Sequence, residues 1–177
     1  TEVRRQRQMC IRDSINTALD GLSFTPDLNY NGAGSLTITT NDLGNTGVGS
    51  PLSDTDTVGI TITAVNDEPV INGPAGLTVD EDSSITISAA NMNGVSVDDI
   101  DLGAGKFAVT VSLDNGSLTL RRTTGLTFAG GADGTSSMTF TGSRTAVNSA
   151  LDGSTYTPDP GYSGSDTLSL TVSDQGS

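Results

Sequence analysis

The chain has 177 residues, a formal net charge of −13, no histidine, no tryptophan and a single cysteine, Cys10. That acidity excludes the basic footprint a nucleic-acid partner requires and argues against docking on an anionic membrane surface. No apolar run approaches the ~20 residues of a membrane span, so direct insertion is not expected. Without histidine the common nucleophilic triads and dyads are out of reach, and the chain is not expected to be an enzyme.

Residues 1–14 hold Arg4, Arg5, Arg7 and Arg12, four of the eight basic residues. Met9-Cys10-Ile11-Arg12-Asp13-Ser14 resembles the conceptual translation of a sequencing-adapter end, and the arginines fit no pattern downstream. This segment is expected to be non-native. The alternative is a genuine basic arm, but no apolar stretch follows the charges as a secretory signal requires. Beyond it stand four basic and nineteen acidic residues, a net charge of −15, and no cysteine. The body can therefore be neither a disulfide scaffold nor a thiolate metal site. Seventeen of those acids are Asp, against only Glu68 and Glu81. Asp is a turn former and a short, stiff oxygen ligand, whereas helix surfaces favour Glu.

In chain order, residues 15–21 read as one helical turn ending at Gly21. Period-two alternation then predicts strands over 35–40 (SLTITT) and 57–65 (TVGITITAV), with Thr and Ser on the outer face. The run Ala64-Val65-Asn66-Asp67-Glu68-Pro69-Val70 marks a junction, because the proline forces an extended exit. Further strands are predicted over 84–89, 107–113, 117–121, 136–141 and 167–173. Asp114-Asn115-Gly116 between two of them reads as a type I′ hairpin turn. Ser143 caps a short helix whose Ala146, Val147, Ala150 and Leu151 share a face, and Gly153 ends it. Many short strands with frequent turn signals predict an all-β fold, a Greek-key β-sandwich of immunoglobulin type with one short helical turn per repeat.

The chain also repeats itself. Residues 15–45 align without a gap on 147–177, an offset of 132, with 14 of 31 positions identical. Identities include Asp20/Asp152, Pro26/Pro158, Tyr30/Tyr162, Gly32/Gly164 and Asp42/Asp174. A fixed period is the mark of a tandem array. The expected organisation is the back of one repeat over 15–65, a linker over 66–69, and a second repeat over 70–177 lacking its last strand. The strand over 57–65 is expected to cover that gap within the same chain.

The Asn66-Asp67-Glu68-Pro69 junction, the Val79-Asp80-Glu81-Asp82 opening, the Asp99-Ile100-Asp101-Leu102-Gly103 loop and the Val172-Ser173-Asp174-Gln175-Gly176 ending resemble bacterial cadherin-like tandem repeats of large secreted adhesins. The resemblance implies Ca2+ at junctions between repeats, where crowded carboxylates supply the oxygens a hard cation takes. On that pattern Asn66 and Asp67 are linker ligands, Asp99 and Asp101 the Asp-x-Asp loop, and Asp174 the acid after a late strand. Glu81 would serve the opposite pole. The pattern carries an acid two residues before the Asn-Asp pair, where this chain has Ala64. A purely structural reading stands beside each: Asp99 and Asp101 can cap a turn, and Asp42 and Asp174 can be turn formers. An EF-hand loop from Asp99 fails, because Thr110 stands where the bidentate acid belongs. The implied function is a calcium-stiffened stalk of an extracellular adhesin. Its partners would be neighbouring repeats of the same chain and cell-surface or polysaccharide ligands. A carbohydrate-binding module and an inert acidic spacer are the alternatives.

Overall fold

The computed structural model describes residues 2–44 and 48–176; Asn45 and Ser177, the last positions of the two repeat copies, lie outside them. The chain divides into two compact units, Thr1–Val65 and Asn66–Ser177.

The first unit is a helix and a hairpin. Helix α1 runs Glu2–Leu19, far beyond the single turn expected over 15–21. No Gly or Pro interrupts this stretch, and Glu, Arg, Gln and Met are good helix formers, so nothing stops the helix before Gly21 at φ +81°. Strands β1 (Gly32–Asn41) and β2 (Ser53–Ile62) pair antiparallel along their whole length as a two-stranded sheet. Thr37 faces Thr57 and Thr39 faces Thr55, each hydroxyl pair 3.1 Å apart. These pairs hold the register and carry β2 back to Ser53, four residues earlier than alternation alone predicts.

This pairing overturns the expectation that 57–65 covers the second unit: β2 is spent on β1. The reason is proximity, since a hairpin partner closes a short loop while any partner beyond residue 66 needs a larger rearrangement.

The second unit is a sandwich. Its strands are β3 (Val70–Asn72), β4 (Ile85–Ile87), β5 (Ser96–Asp98), β6 (Phe107–Ser112), β7 (Gly116–Thr119), β8 (Leu126–Gly131), β9 (Ser137–Gly142), β10 (Ser154–Pro158) and β11 (Ser169–Ser173), with helix α2 (Arg144–Leu151) between β9 and β10. One sheet has the order β4-β10-β7, the other β11-β6-β9-β8, and β3 pairs with β5 as a ribbon. Alternation works as expected: Phe107, Val109 and Val111 of β6 and Met138 and Phe140 of β9 point inward, directly beside one another. Leu118, Leu120 and Ile87 close the core from the other sheet, and Val147, Ala150 and Leu151 of α2 cap it. Burying each large apolar side chain contributes about 1.5–3 kcal/mol. Ser143 accepts from the Ala146 N–H as the N-cap of α2.

The expected hairpin at Asn115-Gly116 is absent. β6 and β7 lie in different sheets, and neither Asn115 nor Gly116 has positive φ. The turn instead carries the chain across the sandwich. The Asp166 Oδ1 accepts from the backbone N–H groups of Asp114 and Asn115 at 3.2 Å each, and Asn115 O accepts from Asp159. Gly116 serves close approach: a Cβ there would lie 2.7 Å from Thr157 O and 2.8 Å from the Tyr156 ring.

The sequence repeat is a repeat of local geometry. Tyr30 donates its hydroxyl to Ala33 O at 2.8 Å, and Tyr162 to Ser165 O at 2.7 Å. The backbone N–H of each tyrosine bonds three residues back, to Asp27 O and Asp159 O. Gly32 and Gly164 lie inside the two hooks at positive φ. Two matched positions differ as a pair. Phe24 lies against Gly34 in the first copy, whereas Tyr156 donates to Asp166 Oδ2 at 2.9 Å in the second.

Candidate metal centre

One pole of the sandwich gathers acids from three chain segments. The loop leaving β5 supplies Asp98, Asp99 and Asp101, the segment entering the unit supplies Asn66 and Asp67, and the turn after β11 supplies Asp174. Leu102, 3% exposed, plugs the core just beyond the loop, so Asp99 and Asp101 before it are held against the sandwich, while Asp98 stays exposed. Ile100 points outward at 69% exposure, which turns Asp99 and Asp101 inward together.

Asp99 is 4% exposed. Its Oδ1 accepts from the backbone N–H groups of Asp101 and Leu102, both at 3.0 Å, forming the turn into Gly103. Its Oδ2 is buried with no hydrogen-bond donor. Burial raises the Asp99 carboxyl above the ordinary range, and the neighbouring Asp101 carboxyl adds to the rise. Asp101 Oδ2 accepts from the Asp67 backbone N–H at 3.0 Å, while its Oδ1 is likewise buried and without a donor. Asn66 donates its side-chain amide to Asp174 Oδ2, and the Gly176 N–H donates to Asp174 Oδ1 at 3.2 Å. Those bonds hold the buried Asp174 carboxyl below the usual range, the Asn66 amide most of all.

The structure thus brings Asn66, Asp67, Asp99, Asp101 and Asp174 to one pole. Glu81 is not among them. It is exposed in the loop before β4, and adjacent Asp82 accepts from the Gly161 N–H, at the end where the chain approaches β11 rather than leaves it. Asp42 of the first unit repeats the Asp174 turn, accepting from the Gly44 N–H at 2.9 Å, and also accepts from the Leu52 N–H. The turn-forming reading of both acids therefore describes one of their carboxylate oxygens.

Arg144 was not singled out from the sequence. Its Nη1 donates to Asp98 Oδ1 at 2.5 Å and to Asp99 O at 3.2 Å, which draws the Asp98 carboxyl below its ordinary range. The available signal was scarcity, since Arg144 is one of only four basic residues after residue 14. Asn148 was missed too; it brackets Val97, accepting from its N–H and donating to its C=O, both at 2.8 Å.

Two buried carboxylate oxygens without donors are the donor type a hard cation takes, and burial without a donor is unfavourable unless some charge answers it. Among the described residues, no three acidic, histidine or cysteine side chains cluster closely enough to cage a metal by themselves. A cation here would need backbone oxygen, amide oxygen or water besides Asp99 and Asp101. Asn66 and Asp174 would have to exchange their mutual bond for it.

A family model for the bacterial Ig domain matches residues 66–177, the whole of the second unit. No curated protein and no solved structure gives a significant match.

Proposed function

The chain belongs to the bacterial Ig domain family, and from that premise we propose that its second unit is a calcium-dependent structural repeat of a cadherin-like kind, working in an extracellular bacterial adhesin. Ig-like sandwiches of this kind serve as structural modules, and their strength is the shared core rather than a cleft. The single observation that supports calcium is the pair of buried, donorless oxygens Asp99 Oδ2 and Asp101 Oδ1. They stand where the chain enters the unit, because the Asp67 N–H is bonded to Asp101 and the Asn66 amide to Asp174.

Bound there, Ca2+ would supply the positive charge that these carboxylates lack. Asp99 and Asp101 would be its carboxylate ligands, and Asn66, Asp67 and Asp174 would complete the set only after rearrangement, with water filling the remaining positions. The protein's own contribution is placement. Leu102 and the Asx turn of Asp99 fix the loop, Asp174 fixes Asn66, and Arg144 holds Asp98 aside on its own charge. Tying the entering segment to the pole stiffens the junction, which is what a stalk under tension requires. Glu81 would serve a second junction at the other end.

Titration of Ca2+ into the full chain by calorimetry tests this reading. Saturable binding that is abolished by Asp99→Asn and Asp101→Asn together is the expected result. Absence of binding heat, with a thermal melt that is the same in chelator and in millimolar calcium, would overturn it.

A further inference from the structure

Helix α2 begins at the pole that gathers the acids, and its first residue is Arg144. That is an unfavourable place for an arginine. The N-terminus of a helix carries partial positive charge, so a cation there works against it where an acid would be favoured. α2 has no acidic residue in its first turn to offset this. The ion pair with Asp98 does not account for the arginine either, because the two side chains are 49% and 66% exposed and exposed pairs contribute little. The surroundings of the guanidinium account for it better. Its Nη1 reaches both Asp98 Oδ1, at 2.5 Å, and Asp99 O, at 3.2 Å. Asp99 is the buried residue whose Oδ2 lacks a donor, and Asp101, with the second such oxygen, follows two positions on.

Five acids meet at this pole, Asp67, Asp98, Asp99, Asp101 and Asp174, and among the described residues Arg144 is the one cation ion-paired to any of them. The other ion pair, Arg121 with Asp152, lies at the opposite end of α2. Lys106 reaches this pole with its C=O, which accepts from Gln175. A charge so placed acts on the site in two opposed ways. Without a bound ion, it offsets the repulsion among acids that burial keeps from full solvation. Towards an incoming divalent cation the same charge is repulsive, and it also keeps Asp98 engaged. The loop does not depend on Arg144 for its shape. Asp99 Oδ1 accepts from the Asp101 and Leu102 N–H groups, and Leu102 anchors the turn in the core. Charge, rather than placement, is what Arg144 contributes.

Resting on the calcium reading of this pole, we propose that Arg144 is a tethered counter-cation of the site: it keeps the acidic pole formed without calcium and sets the affinity lower than the carboxylates alone would give. Occupancy then follows the surrounding calcium concentration, and the entering segment is tied down only where the ion is plentiful. Removing the charge acts in opposite directions on the two states, which the loss of a merely structural contact does not. The chain loses stability in chelator and gains affinity for calcium.

The test compares the full chain with its Arg144→Gln, Arg144→Lys and Arg122→Gln variants, by calcium titration calorimetry and by thermal melts in EDTA and in calcium. Arg144→Gln is expected to bind calcium roughly three- to tenfold more tightly, the effect of removing one charge near a divalent ion at a wet surface. Its melting midpoint should fall by about 2–4 °C in EDTA, and the deficit should close in saturating calcium. Arg144→Lys keeps the charge without the planar fork and should hold Kd within about twofold. Arg122→Gln makes the same change of net charge next to Arg121, whose N–H bonds Ala150 O at the other end of α2, and should leave Kd and both midpoints near wild type. An unchanged or weaker Kd in Arg144→Gln, an equal fall of its midpoint in both media, or the same tightening in Arg144→Lys or Arg122→Gln would each overturn the proposal while calcium binding itself stands. A wild-type chain that takes up no calcium would instead defeat the calcium reading, and this proposal with it.

Discussion

Substituting Asp101 by Asn is expected to change sign with calcium. The change keeps the shape and removes one charge. The amide oxygen introduced at this position can keep the bond from the Asp67 N–H, now 3.0 Å, while the new NH2 takes the place of Asp101 Oδ1. That NH2 faces the Asp99 carboxyl, whose Oδ2 has no donor and whose ordinary ionisation is opposed by burial and by Asp101 itself. A new hydrogen bond to a charged group is worth about 1.5–3 kcal/mol net. Reorganisation at a half-buried site reduces this to about 1–2 kcal/mol of stabilisation in chelator. For a unit of this size 1 kcal/mol moves the midpoint by about 4 °C, so Tm in EDTA should rise by about 4–8 °C. The wild-type chain, by contrast, should gain about 2.7 kcal/mol at calcium one hundred times its Kd, or about 10 °C. The variant should gain almost none. Differential scanning calorimetry of both proteins, in EDTA and in calcium, gives all four midpoints. A variant that is destabilised equally in both media would refute the idea that these oxygens are frustrated. One that retains the whole calcium increment would remove Asp101 from the ligand set.

Three further expectations concern the scaffold. Asn148→Ala strips the partner from both the N–H and the C=O of Val97, a residue 1% exposed, and should destabilise by roughly 2–4 kcal/mol in urea unfolding; a loss under about half a kcal/mol would mean that water replaces the amide. Gly131→Ala puts a Cβ 2.1 Å from Ser137 O at φ +66°, so about 2 kcal/mol or more of stability should go, with hydrogen exchange rising first in β8 and β9. The Tyr156 hydroxyl is pushed up to about 12 by burial and by Asp166. A raised folded value means that its contribution is whole below the unfolded value of about 10 and is lost as pH climbs through about 12. Tyr156→Phe should flatten that alkaline decline in Tm, and an unchanged slope would show that other groups cause it.

Strands with long, clean alternation were legible from residues alone. FAVTVS in β6 and SMTFTG in β9 bury every second side chain, and nothing nearby competes. The three-residue strands β3 and β5 were not legible, because so short a run carries no period. β8 was hidden by Gly130 and Gly131, which break the alternation just after a bulge at Ala129 against β9. At Asn115-Gly116 local turn chemistry pointed to a hairpin, but contacts from Asp166 and Tyr156, distant in the chain, decided otherwise. The acids of the pole could be named through their order in a family-like pattern. Which of their oxygens lack donors could not, since that depends on how Leu102, Asp67 and Asn66 settle around them.

The tyrosine hooks carry a consequence of their own. Each is complete within seven residues, from Asp27 to Ala33 and from Asp159 to Ser165, and takes the same form ahead of a two-stranded hairpin and on the exposed surface of a sandwich. A bend so indifferent to its surroundings is written into the nearby chain and can exist before any sheet assembles. In a protein built of many similar units, such a bend would let each unit begin folding from its own text. Borrowing a strand from the wrong neighbour would then remain a late and reversible error.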